Sequence, residues 1–329
     1  MGSLPKIVVV LGPTASGKTN LGIHLAKKCN GEIVSADSRQ VYKKMDIATA
    51  KAVGTWKKLS HGERAYVVEG VPHYMVDIID PGTDLSLSDY KRQAIVHIFS
   101  ILKRGKVPFV VGGTGLYIWS IVDNLKIPNV PPNKKLRRGL EKKPLTKLVA
   151  MLQKLDPAAA KTIDLKNGRR VVRALEVSIL SGQSFLDQRQ KGEPLFDALQ
   201  VGISHPREEL YERINRRIDE EMRGGLVEET KALLKQKYDW ILPSMTGIGY
   251  KQAAAYLRGE STLEQAISDM KRDTRRYARR QVTWFKRDKR IQWIEGGNGE
   301  QAEEMVENFY TPNQPCCKIK TFSYSQSYC

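Results

Sequence analysis

The sequence carries G-x-x-x-x-G-K-T at Gly12, Pro13, Thr14, Ala15, Ser16, Gly17, Lys18 and Thr19. Residues of these types at this spacing hold an oligophosphate. The loop turns backbone N–H groups inward around phosphate oxygens at the positive end of the helix it opens, Lys18 adds a point charge, and the Thr19 hydroxyl is a ligand for Mg²⁺. Two further stretches bear groups that could do chemistry. Asp37-Ser38-Arg39-Gln40-Val41-Tyr42 offers a carboxylate that can serve as a base or merely cap a turn. Gly112-Gly113-Thr114-Gly115 offers a hydroxyl and more backbone donors, or a simple tight turn. Arg213 and Arg217 lie four apart on one helix face, which is either solvated or turned inward as a source of cations for a phosphate group. None of these residues says which phosphate compound binds or which bond breaks.

Such groups meet only if strand ends bring them together, and the flanking segments fit that requirement. Lys6 to Leu11 is a β-branched run that stops at a glycine, hence a buried strand, and Asn20 to Cys29 has helical spacing in Leu21, Leu25 and Ala26. Gly31 onward reads as a short strand ending in the polar cluster at Asp37, and Val107 to Val111 as a strand before the second glycine loop. All three stretches are therefore expected at one crevice. Tyr74 to Ile78 reads as another strand, before the turn signal Asp80-Pro-Gly, while Asp46 to Lys51 and Lys57 to Val71 read as surface connections. Helices are expected over Leu87 to Lys103, over Arg207 to Arg223, and from a capping box at Ser261-Thr-Leu-Glu264 past Tyr277 to Lys286. Ala198 to Ser204 and Ile291 to Ile294 complete the strands. The fold class is α/β, a P-loop NTPase-like parallel sheet flanked by helices. Between Lys126 and Pro194 prolines mark a boundary, strands vanish and short helical patterns appear, so residues 1–125 and 195–312 are expected to form the core domain and 126–194 a helical insertion. The polar, unpatterned tail over 313–329 reads as disordered.

With 329 residues and 41% hydrophobic content the chain can bury a full core, and its net charge is +18. The charge is segregated. Lys126 to Arg173 holds 14 Lys/Arg against 3 Asp/Glu, and Lys271 to Arg290 holds 10 against 2, so these two stretches contain all of the excess. Such segregation favours an extended polyanion, and Tyr277, Trp284 and Phe285 among the arginines suit stacking on RNA, although aromatics at helical spacing are more often core. No apolar run reaches the length of a membrane span and no signal segment is present, so a soluble, cytoplasmic protein without a membrane partner is expected. Four cysteines, three of them after residue 315, indicate neither a zinc finger nor a disulfide framework.

Taken together, GPTASGKT at Gly12 to Thr19, DSRQVY at Asp37 to Tyr42, DIATAK at Asp46 to Lys51, GGTGLY at Gly112 to Tyr117, RALEV at Arg173 to Val177 and RRQVTWF at Arg279 to Phe285 closely resemble the tRNA dimethylallyltransferase (tRNA isopentenyltransferase) family. The resemblance runs in order over about residues 6 to 310. It implies transfer of a dimethylallyl group from dimethylallyl diphosphate to N6 of the adenosine just 3′ of the anticodon of tRNA, with Mg²⁺ as cofactor, the anticodon stem-loop as partner and a monomeric enzyme. By resemblance Asp37 accepts the N6 proton, and Gly12, Thr14, Ala15, Ser16, Gly17, Lys18 and Thr19 hold the diphosphate together with Thr114 and Arg217. Arg137 matches a position important for activity. The tRNA-contacting stretches of the family fall on Asp37, Ser38, Arg39 and Gln40; on Arg169, Arg170, Val171, Val172 and Arg173; on Gly247, Gly249, Tyr250 and Lys251; and on Arg279, Arg280 and Gln281. Two features depart from the family pattern: Asn133-Lys-Lys-Leu-Arg137 lacks an acidic residue ahead of the arginine, and Leu140 to Leu148 is short. A small-molecule kinase would share the phosphate loop but needs no basic insertion. An adenylate isopentenyltransferase would share the chemistry and act on free AMP or ATP, and a non-catalytic RNA-binding protein would leave the loop without a use.

Overall fold

A computed structural model of the chain describes residues 3–128, 130–187 and 190–310. The tail expected over 313–329 lies outside the described residues. In chain order the first part contains β1 (Lys6–Leu11), α1 (Lys18–Lys28), β2 (Gly31–Ser35), β3 (Thr55–Lys58), β4 (Arg64–Val68), β5 (Val71–Tyr74), α2 (Leu87–Lys103), β6 (Val107–Gly112) and α3 (Gly115–Val122). Four helices follow, α4 (Lys134–Glu141), α5 (Leu145–Leu155), α6 (Pro157–Thr162) and α7 (Gly168–Ser181). The last part is β7 (Asp197–Ser204), α8 (Arg207–Arg223), α9 (Leu226–Lys235), α10 (Tyr250–Leu257), α11 (Leu263–Phe285), β8 (Ile291–Glu295) and α12 (Gly299–Tyr310).

β1 shows no polar alternation, and its last five residues are fully buried, which suits a strand covered on both faces. It lies between β6 and β7 and runs parallel to both. The sheet order is β3-β4-β5-β2-β6-β1-β7-β8, in which β5 through β8 form a parallel set and β3 and β4 an antiparallel edge. The fold is thus the expected α/β class with a mostly parallel sheet. Val8, Val10, Phe109, Val111 and Val201 pack with Leu25 and Ala26 of α1 and Ala302 and Val306 of α12. A second cluster joins Tyr42 and Met45 to Ile214 of α8, Tyr250 of α10, and Met270 and Ala278 of α11.

Three local readings are corrected. The surface connection expected over Lys57 to Val71 contains a hairpin, with Trp56 opposite Tyr66 and Lys58 opposite Arg64. β3 is exposed along its whole length, so no burial pattern marked it. The strand expected over Tyr74 to Ile78 is shifted to Val71–Tyr74, because Met75 and Asp77 take left-handed backbone conformations, φ 61° and 58°, that no strand accommodates. The helix expected from Ser261 is capped instead by Thr262, whose side chain accepts the Gln265 N–H.

The chain divides into two compact units, one of residues up to Ile121 and from Leu195, the other Val122–Pro194. The smaller unit has its own core of Leu140, Leu148, Leu152, Val171, Leu175 and Val177. Two buried acids hold it together. Asp156 caps α6 through the Ala159 N–H (3.0 Å) and accepts the Phe185 N–H (2.8 Å). Glu176 accepts from the Asn133 N–H (2.7 Å), from Arg137 Nε and Nη2 (both 2.8 Å) and from Arg173 Nη1 (2.5 Å). Burial alone would raise the Glu176 pKa, but these hydrogen bonds outweigh it and hold the carboxyl below its ordinary range.

Replacing Glu176 by Ala strands two arginines that are themselves partly exposed, so a loss of about 3 kcal/mol is expected, the low end for a broken buried pair. Because the folded-state pKa is depressed, this contribution is present above the ordinary carboxylate pKa and disappears as pH falls through the lowered value. Urea unfolding of wild type and Glu176→Ala at pH 7 and at pH 3 checks both statements: the difference between them should shrink at the lower pH.

Candidate active site

Three strand ends build the site. β1 delivers the loop from Gly12 to Gly17, β2 delivers Asp37 and Ser38, and β6 delivers Gly113 and Thr114. In the first loop Ala15 takes φ 62° and Gly17 φ 89°. A left-handed alanine costs on the order of 1 kcal/mol, and it persists here because the Arg213 Nε donates to the Ala15 carbonyl (2.9 Å). Gly17 caps α1 without a side-chain acceptor, so the first N–H groups of the helix have no side-chain cap. The Ser16 Oγ is buried in the loop without a hydrogen-bond partner among the described residues. Buried polar atoms are usually paired, so this hydroxyl and the bare helix start fit an anion held in the loop.

The two glycine loops are tied together by one side chain from α11. Gln281 Oε1 accepts the Thr14 N–H (2.8 Å), and its Nε2 donates to the Gly113 carbonyl (2.8 Å). Only glycine fits at 113, since an added Cβ would sit 2.5 Å from Gln281 Nε2 and 3.3 Å from Lys18 Cε. At 115 the limit is Trp284, whose indole would lie 2.2 Å from a Cβ. The second glycine loop is thus a place of close approach, where the sequence left a tight turn as the simpler reading.

Cations converge on the first loop. Arg217 Nη1 donates to Thr14 Oγ1 (2.9 Å), while its Nε pairs with Glu221 (2.7 Å), whose carboxyl is pushed up by burial against the opposing effect of Arg217. Arg213 and Arg217 therefore both turn their shared helix face to the loop. The His205 Nε2 donates to the Ser16 carbonyl (3.0 Å), with Nδ1 on Glu209 (2.9 Å). Lys18 Nζ reaches the Pro13 carbonyl (3.3 Å). Withdrawal from solvent lowers its pKa to about 8; the Asp37 charge opposes this shift and Arg217 adds to it. The Asp37 charge therefore acts on Lys18 from the next strand end.

Asp37 Oδ1 accepts the Arg39 N–H (2.8 Å), and Oδ2 takes no hydrogen bond among the described residues. Thr114 Oγ1 accepts the Ser38 N–H (3.0 Å), which fixes the Asp37 stretch against the second glycine loop. Tyr277 also lies here, its phenol pushed up to about 12 by burial first and by the Asp37 charge second. Arg39 Nη1 donates to the Pro243 carbonyl (2.6 Å) and so joins Asp37 to the loop carrying Gly247 and Gly249. Gln40 Nε2 is turned to the Thr49 carbonyl (3.2 Å). Lys251, Arg279 and Arg280 are exposed.

Several residues expected at the site are placed elsewhere or are occupied. Gln281, expected on tRNA, is buried and spends its amide on the two loops. Tyr250 is buried, with its hydroxyl on Glu229 (2.5 Å), and Phe285 is core, so neither ring is open to a base. Trp284 packs on Trp119, ring centroids 4.6 Å apart. In the smaller unit Val171 and Val172 are core side chains, and Arg137 and Arg173 are held by Glu176. Arg137 thus joins α4 to α7, and no contact in its unit places it on a reacting group. Arg169 there is exposed.

Sequence reasoning missed the roles of Gln281 and His205. For Gln281 a signal existed: Met270, Thr274, Ala278, Gln281 and Phe285 form the buried stripe of α11, and a glutamine on such a stripe must find partners for both ends of its amide. His205, just past β7, carried no pattern.

The IPP transferase family model matches residues 40–288 of the chain. The tRNA dimethylallyltransferase of Acetivibrio thermocellus is 40% identical over 312 residues, 93% of this chain and 96% of that protein. That of Desulforudis audaxviator is 42% identical over 313 residues, 92% and 97% of the two chains. Among solved structures, the tRNA isopentenylpyrophosphate transferase of Bacillus halodurans is 37% identical with a TM-score of 0.66, covering 92% of this chain and 95% of its own. A eukaryotic dimethylallyltransferase described as acting on tRNA is 26% identical with a TM-score of 0.76, covering 96% and 82%.

The lowered pKa of Lys18 has a measurable consequence. Inorganic diphosphate is expected to bind with an affinity that falls about tenfold per pH unit above 8, as Lys18 loses its proton, relative to a Lys18→Arg variant that keeps its charge. Parallel pH profiles of the two proteins in a calorimetric titration would contradict this.

Proposed function

The chain belongs to the IPP transferase family of tRNA dimethylallyltransferases, and from that premise we propose that its loop cradle holds the diphosphate of dimethylallyl diphosphate as a leaving group. The protein is a tRNA prenyltransferase. The acceptor in this reading is N6 of the adenosine 3′ of the anticodon. What carries it is the meeting of Lys18, Arg213 and Arg217 on one glycine loop, with Asp37 at the neighbouring strand end, tied to the second glycine loop through Ser38 and Thr114.

In the reaction the bond between the allylic carbon and the diphosphate oxygen breaks, and its electron pair leaves with the diphosphate. Lys18, Arg217 and the inward N–H groups stabilise the charge that develops there. The N6 lone pair bonds to the same carbon, and Asp37 takes the proton that N6 must lose, through the oxygen not engaged by Arg39. Thr114 holds the Asp37 stretch in register through Ser38. Arg213, Gln281 and His205 keep the loop in shape.

The donors fit Mg²⁺. Thr19 presents a hydroxyl in the first turn of α1 with no hydrogen bond to the protein among the described residues, and Ser16 Oγ, three residues before it, is likewise unpartnered there. Mg²⁺ prefers hard oxygens and shares its shell with substrate phosphate and water, so one or two hydroxyls suffice beside a diphosphate. When bound, it adds positive charge to the leaving group.

For tRNA, Arg39, Lys251, Arg279 and Arg280 offer cations on the larger unit and Arg169 and Arg170 on the smaller, with Gly247 beside Arg39 and Gly249 two residues on. Among the described residues no helix is long and apolar enough to cross a membrane. We place the reaction in the cytoplasm, with its acceptor, and in a single copy of the chain.

Purified protein given labelled dimethylallyl diphosphate is expected to label tRNA and to leave AMP and ATP unlabelled, releasing one diphosphate per group transferred. Phosphorylation of any acceptor from ATP would favour a kinase. Asp37→Ala should lower turnover by about 10²- to 10⁴-fold with little change in tRNA affinity, and near-normal turnover would remove Asp37 from the base role.

A further inference from the structure

The hairpin of β3 and β4 takes no part in the site described above, yet it walls a cavity of about 350 Å³ lined by Lys43, Trp56, Arg64 and Asp77. Trp56 is fixed there from two directions. Its indole N–H donates to Asp77 Oδ2 (3.0 Å), and its edge meets Tyr66 with ring centroids 6.2 Å apart and planes at 72°. Tyr66 is itself held, donating to the Ala52 carbonyl and accepting the Gly54 N–H, each at 3.0 Å. Trp56 nevertheless stays 36% exposed.

The charges of this cavity are unbalanced. Asp77 Oδ1 lies 2.8 Å from the buried Lys51 Nζ, which also holds Asp46 Oδ1 (2.5 Å), so the two carboxylates share one ammonium and both Asp77 oxygens are engaged. Lys43 and Arg64 are exposed and have no carboxylate partner among the described residues. The Arg64 guanidinium lies over one face of the Trp56 ring, 5.8 Å from its centre, and the register places Lys58 on the same face of the hairpin, opposite Arg64. A fixed indole with Arg64 over one face and Lys43 beside it, its wall carboxylate held by Lys51 and the indole N–H, is the chemistry that holds one unstacked nucleotide, the base on the remaining ring face and the phosphate on the cations.

The cavity is joined by backbone to the reacting strand end. The Asp77 N–H donates to the Gln40 carbonyl and the Lys43 N–H to the Ile79 carbonyl, each at 2.8 Å, and Gln40 lies three residues past Asp37. We propose that the Trp56 cavity is a second RNA contact, which holds an unstacked nucleotide flanking the target adenosine. This rests on the reading of the chain as a tRNA prenyltransferase.

The test uses the full chain and unmodified tRNA, with transfer kinetics and, separately, filter binding across a salt series. Trp56→Ala should raise the KM for tRNA about tenfold, as removal of one stacked base does, with kcat at saturating tRNA little changed. Trp56→Phe should recover most of the affinity. Lys43→Ala combined with Arg64→Ala leaves the ring in place; it should weaken binding and flatten the slope of log K against log salt by about 0.7 for each phosphate no longer neutralised. If Trp56→Ala fails to fold, the double variant still decides. Wild-type KM and salt slope in the variants would overturn the proposal. A wild-type protein that labels no tRNA would overturn the activity beneath it instead.

Discussion

A glutamine buried between two backbones has one amide with which to satisfy both. In this fold Gln281 accepts from Thr14 and donates to Gly113, so the glycine loop after β1 and the glycine loop after β6 hold a fixed distance from each other. Leaving either backbone group unpaired in a buried site costs about 1–3 kcal/mol, so the amide cannot turn away cheaply. Everything else at the site is measured from that clamp. Thr14 orients Arg217, Gly113 leaves room for the Lys18 stem, and Thr114, one residue on, sets the Asp37 stretch through Ser38. α11 supplies the clamp from its buried stripe while its opposite face carries Arg279 and Arg280, so one helix joins the diphosphate cradle to the basic surface.

The electrostatics follow from crowding cations around an anion site. Lys18, Arg213 and Arg217 all meet the first glycine loop; withdrawal from solvent is what chiefly lowers the pKa of Lys18, and the Arg217 charge adds to it. The protein offsets part of this positive charge with acids at the back, Glu221 on Arg217 and Glu209 near Arg213. A diphosphate would supply the rest of the compensation, which is why such a site favours an anion in the transition state over an empty crevice.

The core of this fold was legible because its rules are local. The β1 run, the phosphate loop and the strand before GGTG each declare themselves within about ten residues, and parallel topology follows from helices between strands. What stayed hidden depends on partners distant in sequence. Gln281 reads as one polar residue among arginines until Thr14 and Gly113 are seen beside it. Val171, Val172, Tyr250 and Phe285 sit inside motifs, yet helical phase turns them into the core. Arg137 looks like a surface cation, and only the buried Glu176, 39 residues away, shows what occupies it. The β3–β4 hairpin escaped because its edge strand is exposed on both faces.

The dependence of the site on the glutamine clamp is open to one direct measurement. In Gln281→Leu the side chain keeps its place in the buried stripe but leaves the Thr14 N–H and the Gly113 carbonyl without partners. Calorimetric titration with a non-hydrolysable dimethylallyl diphosphate analogue should then show affinity reduced by about 10- to 100-fold, with the melting temperature lowered only a few degrees. Wild-type affinity in this variant would contradict the central role of Gln281, because the two glycine loops would then hold their positions, and the cradle its shape, without the clamp.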